Sequence, residues 1–153
     1  MMYATGQEFI KDFAQRTIEN YNHISDDSYK VTQLINSSIG LLVIPQQKLF
    51  NKISDKMISS QLLQEMRKTI TTPQCSIPTK LSTIARHMRN SITHATIKFN
   101  AENASTNNNS LTIYSVTFTD EDPESHNIFE LTVPIPLLEK FFLEFSAAAT
   151  KLK

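Results

Sequence analysis

Between positions 86 and 94 the chain gathers Arg86, His87, Arg89, Asn90 and His94. Those side chains suit phosphate chemistry. A guanidinium offers a planar fork that meets two phosphate oxygens and never loses its charge. An imidazole gives or takes a proton near neutrality. Cleavage of RNA by its own 2′-hydroxyl needs a base for that hydroxyl, an acid for the departing 5′-oxygen and a cation near the phosphorane; no step requires a metal in principle. The residues also share a surface. At 100° per residue, Thr83, His87, Asn90 and His94 form one stripe of a helix, with Arg86 and Arg89 flanking it. Leu81, Ile84, Ala85, Met88, Ile92 and Ala95 fall on another arc, about as wide as a core-facing stripe. The spacing predicts a helix over 80–95 whose other face, Ser91 and Thr93 included, meets solvent with no carboxylate to neutralise it.

Spacing alone leaves simpler roles open. Arginines commonly decorate a solvated face, and a histidine near a helix C-terminus is favoured by the macrodipole. Charge distribution bears on the choice. The chain carries 15 Lys/Arg and 15 Asp/Glu, a net of zero. Residues 1–100 nevertheless hold 12 basic against 7 acidic side chains, and residues 101–153 hold 3 against 8. From Met66 to Ala101 there is Arg67, Lys68, Lys80, Arg86, Arg89 and Lys98 with no acidic residue. A one-signed stretch of that length makes a local positive field whatever the total. It is the footprint of a nucleic-acid binder, and equally that of a basic face turned to water.

Other classes are excluded on simpler grounds. With 153 residues, 40% hydrophobic and 20% charged, the chain reads as a single soluble domain over 1–153 that can bury a core of its own. No secretory signal pattern opens it, and its longest apolar run, Leu41-Leu42-Val43-Ile44, is far short of a membrane span. The single cysteine, Cys75, excludes a disulfide framework and fits a reducing, cytoplasmic compartment. Set between Pro73 and Pro78, it reads as a bystander. His23, His87, His94 and His126 lack zinc-ligand spacings, and neither Gly6 nor Gly40 stands in a phosphate-binding loop. No metal and no cofactor is expected.

The elements that must position these residues are mostly helical. Phe9, Ile10, Phe13, Ala14, Thr17, Tyr21 and Ile24 recur at helical spacing, and the cluster Ser25-Asp26-Asp27-Ser28 suits the N-cap of a second helix. That second helix is predicted over 29–44, apolar nearly all round toward its end, with Gly40 admitting a close neighbour and Pro45 stopping it. Shorter helices follow over 46–53 and 57–70. Beyond the helix at 80–95 the character changes. The Asn-rich stretch 103–110 is a loop. Leu111 to Thr119 alternates, with Tyr114, Val116 and Phe118 on one side; Phe129, Leu131 and Val133 alternate likewise. These are two strands of a hairpin joined by the acidic turn Asp120-Glu121-Asp122-Pro123-Glu124, supported by a helix over 136–152 through Leu137, Leu138, Phe141, Phe142 and Phe145.

The segment Arg89-Asn90-Ser91-Ile92-Thr93-His94 resembles the signature of the HEPN superfamily (higher eukaryotes and prokaryotes nucleotide-binding): an arginine, a polar residue often asparagine, and a histidine late in a helix. The preceding Ile84-Ala85-Arg86-His87-Met88, the helix end Ser38-Ile39-Gly40-Leu41-Leu42-Val43-Ile44-Pro45, and the strand end Phe118-Thr119-Asp120 are similar to a stand-alone subgroup from plasmids and bacterial genomes. The likeness spans most of the chain. It implies a mainly α fold: a helical bundle with a small antiparallel hairpin and a C-terminal helix. It implies Arg89 and His94 as a catalytic pair with Asn90 as polar helper. Arg86 and His87 stand outside the signature, as candidate phosphate or RNA contacts. It further implies a metal-independent endoribonuclease of toxin or defence type, acting on RNA as a homodimer through the Arg89–His94 helix, and restrained by an antitoxin or regulatory protein. Arg89 and His94 project about 140° apart and about 7.5 Å along one helix, so a two-fold mate is a natural way to make them converge. Other members of the superfamily bind nucleotides or partners without catalysis, and that alternative stays open.

Overall fold

The computed structural model describes residues 6–24, 27–73, 77–103 and 111–152. The fold is mainly α, with a small antiparallel sheet. Ser25, Asp26, Cys75 and residues 104–110 of the Asn-rich stretch lie outside the described residues, while Asn103, expected in that loop, is the last residue of a strand. Among those described, no helix is long and apolar enough to cross a membrane.

Helix α1 (Gly6–Asn22) turns Ile10, Ala14 and Tyr21 into the core. Helix α2 (Asp27–Ser38) continues as a π-helical turn, Ile39–Val43, and then as α3 (Ile44–Leu49). Pro45 therefore does not stop the run. The Ile44 N–H reaches back to the Ile39 carbonyl, and the widened turn resets the ladder so that Pro45 falls at the start of α3, where its missing donor costs nothing. The π turn is buried at Gly40, Leu41, Leu42 and Val43. Gly40 does admit a neighbour: a Cβ there would lie 2.5 Å from Thr17 Oγ1 and 2.7 Å from a Phe13 ring carbon of α1.

The predicted helix over 57–70 is shorter. Ser59 caps α4 (Ser60–Lys68), its side chain accepting the Leu62 N–H at 3.3 Å. The predicted helix over 80–95 is α5 (Leu81–Thr93), with Leu81, Ile84, Ala85 and Met88 fully buried. Ile92 is only half-buried and Ala95 is exposed, outside the helix. Ser91, placed above on the solvent face, is buried instead, its hydroxyl donating to the His87 carbonyl at 2.8 Å.

A third strand joins the predicted hairpin. Strand β1 (Ile97–Asn103) pairs antiparallel with β2 (Leu111–Glu121), which pairs antiparallel with β3 (Ile128–Pro134). One face of the sheet buries Val116, Phe118, Leu131 and Val133 against α5 and α6 (Ile135–Ala149), the latter contributing Leu138, Phe141, Phe142 and Phe145. The other face carries a polar ladder: Asn100 donates to Ser115 and Thr117, and Thr117 bonds Thr132. Tyr114 is exposed rather than in line with Val116 and Phe118, because the β1–β2 register shifts between Asn100 and Ala101 and the alternation slips there.

Candidate functional site

Both ends of α5 are fixed by partners far away in sequence. At its N-terminus, Lys80 offers no side-chain cap; Asp55 Oδ1 accepts the Leu81 N–H at 2.8 Å instead. The same carboxylate takes Arg67 Nη2 at 2.9 Å, so α4 and the start of α5 are tied through one residue. At the C-terminus the chain reverses in a Schellman turn. The Thr96 N–H reaches the Ser91 carbonyl at 2.9 Å and the Ala95 N–H reaches Ile92 at 3.3 Å, with Ala95 in the left-handed region at φ 56°. His94 is the capping residue itself. Thr96 then pairs with Thr119 in both directions: its carbonyl accepts the Thr119 N–H at 3.1 Å, and its hydroxyl donates to the Thr119 carbonyl. The helix thus runs directly into the sheet, and the residue after Thr119 is brought over the polar face of α5.

That residue is Asp120. On β2 it continues the inward stripe of Val116 and Phe118, and its cross-strand neighbour on β3 is Phe129. Its Oδ2 accepts His87 Nδ1 at 2.6 Å and Asn90 Nδ2 at 2.9 Å. Asn90 Oδ1 in turn accepts two donors from Arg89, Nε at 3.1 Å and Nη2 at 2.6 Å. The His87 ring stacks on Phe129 with centroids 4.0 Å apart and planes 12° from parallel. The expectation of a face without carboxylates is therefore overturned. The basic helix and the acidic segment meet within the molecule, because strand β2 extends through Glu121 where a solvent turn was expected.

These contacts set the proton inventory. Burial pushes the His87 pKa below its ordinary value; the Asp120 hydrogen bond opposes this, and the neighbouring Arg86 charge adds to it. The net direction favours the neutral ring. Arg86 Nη2, which can only donate, approaches His87 Nε2 at 3.5 Å. The tautomer that satisfies both neighbours carries its proton on Nδ1, donated to Asp120, and leaves a lone pair on Nε2. Asp122 organises the turn beyond. Its Oδ1 accepts the Glu124 N–H at 3.0 Å and the Ser125 N–H at 2.7 Å, bonds that with the Ser125 hydroxyl hold its carboxyl below the usual range.

A family model described as HEPN pEK499 p136 matches residues 1–152. The chain belongs to this HEPN family. Neither the curated proteins nor the solved structures hold a match to it.

In this HEPN domain an open cleft of about 720 Å³ lies over α5, with Arg86, His87, Asn90 and His94 on its floor and Asp120, Glu121, Asp122 and Phe129 among the residues opposite. Of the residues predicted from sequence, four line the cleft together. Arg89 does not; it stands on the far side of Asn90, joined to the cleft through that amide. His94 is exposed, and its ring has no hydrogen-bond partner among the described residues. His87, expected as a phosphate contact, is held at Nδ1 and by its ring face, so that only Nε2 is left to act. Asp120 and Phe129 were missed in the sequence. Counting residues inward from Val116 and Phe118 would have put Asp120 on the core side of its strand; nothing local shows that α5 is what it meets.

Proposed function

We propose that this HEPN domain is a metal-independent endoribonuclease in which Arg89 and His94 cleave RNA by attack of the 2′-hydroxyl, at a site completed by a second copy of the chain. One observation carries the reading: His94 ends α5 at an open cleft with a ring that has no hydrogen-bond partner among the described residues, while Arg89 is fixed outside that cleft by Asn90. An arginine so held addresses a strand lying across two antiparallel copies of α5, with His94 of one copy beside Arg89 of the other. The Arg89 fork stabilises the charge that gathers on the phosphorane, and His94 transfers a proton to the departing 5′-oxygen. Asn90 keeps the fork oriented through Asp120. Arg86, exposed at the cleft, suits a further phosphate. Family membership supports nucleotide-binding or ribonuclease-like chemistry. A toxin or defence role in a bacterial cytoplasm, with a protein that restrains the cleft, belongs to the same reading.

The test is cleavage of varied RNAs by the purified chain in EDTA, beside Arg89→Ala and His94→Ala variants of verified fold. Wild type should leave 2′,3′-cyclic phosphate ends, and each variant should lose about 10²-fold or more. The mixed lining, Arg86 with Glu121 and Asp122 at the rim, favours a second reading, because the guanidinium can hold a phosphate while the carboxylates attract basic groups. That reading is a domain that binds RNA, nucleotide or a basic partner without catalysis. Salt-sensitive RNA binding that survives His94→Ala, with no product from wild type, would select it.

A further inference from the structure

We infer that His87 is the general base of the site, positioned by Asp120, so that each copy supplies two histidines to the cleavage. The inference rests on the ribonuclease reading above and adds a residue that the Arg–His signature does not contain.

Three geometric facts carry it. First, His87 is oriented as a base must be. One ring nitrogen is bound to a carboxylate at 2.6 Å and the ring is clamped flat against Phe129, which leaves Nε2, with the exposed Arg86 Nη2 3.5 Å away, as the reactive atom. Second, His87 lines the same cleft as His94. The two residues stand two helical turns apart on one stripe, about 10.5 Å of rise, so they address a strand lying along α5 from two ends. Third, among the described residues Asp120 has no guanidinium partner; it accepts from His87 and Asn90, both on α5, and is largely buried. The charged and titratable groups around His87 are Arg86 and His94 from α5, Asp120 and Glu121 from β2, and Asp122 from the turn; β3 presents the uncharged Phe129. Burial favours the neutral ring, the form a base requires.

Nε2 of His87 takes the proton of the 2′-hydroxyl, and the oxygen's electron pair forms a bond to phosphorus. The bond from phosphorus to the 5′-oxygen breaks, and the departing pair takes a proton from the protonated His94 ring. The products are a 2′,3′-cyclic phosphate and a 5′-hydroxyl. Proton exchange with water restores both rings.

The experiment compares wild type, His87→Ala, His94→Ala and Asp120→Asn on an RNA substrate and on the same substrate with sulfur in place of the bridging 5′-oxygen. A thiolate departs without a proton, so the sulfur substrate dispenses with the acid but still needs the base. On ordinary RNA, His87→Ala should lower kcat about 10²–10⁴-fold with little change in KM. On the sulfur substrate His94→Ala should recover most of its rate and His87→Ala should not. The acid limb of the wild-type pH profile should lie below 6.5. It should move lower still in Asp120→Asn, which keeps the shape of the side chain but removes the charge that favours the protonated ring. Three outcomes would overturn the inference alone: His87→Ala raising KM with kcat intact, recovery of His87→Ala on the sulfur substrate, or an acid limb unmoved by Asp120→Asn. Failure of wild type to cleave either substrate would overturn the ribonuclease reading beneath it as well.

Discussion

Two histidines in this protein face carboxylates at nearly the same distance, and the carboxylates are neighbours in sequence. His87 Nδ1 lies 2.6 Å from Asp120, and His126 Nδ1 lies 2.7 Å from Glu121. Distance does not distinguish them. Surroundings do: the side chains of the first pair are 18% and 14% exposed, those of the second 76% and 55%. The alternation of β2 sends Asp120 inward over α5 and Glu121 outward to the turn. In water, a pair such as His126–Glu121 is screened and is worth about 0–1 kcal/mol. Under Phe129, the His87 pair shares an oxygen with Asn90 and cannot be released to solvent, so losing one member leaves the others unsatisfied. What separates a surface ornament from a chemical device here is one residue of strand parity.

Three substitutions or conditions test that contrast, the largest effect first. Asp120→Ala strands the donors of both His87 and Asn90 and should cost about 1–3 kcal/mol, read as a lower urea midpoint with unchanged slope; a loss comparable to that of a surface substitution would erase the distinction. The pH dependence comes next. The folded protein holds His87 neutral to a lower pH than the unfolded chain does, where the ordinary value is 6.5. Between those two values the unfolded state binds the additional proton, so stability rises with pH. Acidifying through 6.5 should therefore lower the urea midpoint, and the fall should be shallower in His87→Phe, which preserves a stack on Phe129 but cannot titrate. The smallest effect belongs to Glu121→Gln. Breaking the exposed pair should move stability by no more than about 0.5 kcal/mol, and a larger shift by calorimetry would mean that the turn depends on it.

Much of this was legible in the sequence for a physical reason: long amphipathic helices advertise themselves. The apolar stripe of α5 and the phenylalanines of α6 are read from spacing alone, and so is the placement of His87, Asn90 and His94 on one face. What stayed hidden depended on pairing. Strand β1 was missed because it lies at the sheet edge with Phe99 exposed and Ile97 half-buried, so its pattern never resembles a core strand. Pro45 misled because a π-helical turn, which has no compositional mark, moved it to a position where proline is harmless. Ser91 was read as solvent-facing by type; a small hydroxyl that can bond the preceding turn is buried without penalty. Asp120 was read as part of a soluble turn, since only the β1–β2 register and the Thr96–Thr119 bridge carry it back to α5.

The His87–Asp120 contact also has an order in time. Its two residues are 33 positions apart, and the helix comes first. During synthesis α5 emerges from the ribosome before β2 does, so a growing chain bears the Arg–His helix without the carboxylate that orients His87. The tautomer, the ring clamp and the Asn90 link are all acquired together when β2 and β3 close over it. A chain interrupted before that point would carry its reactive side chains unassembled.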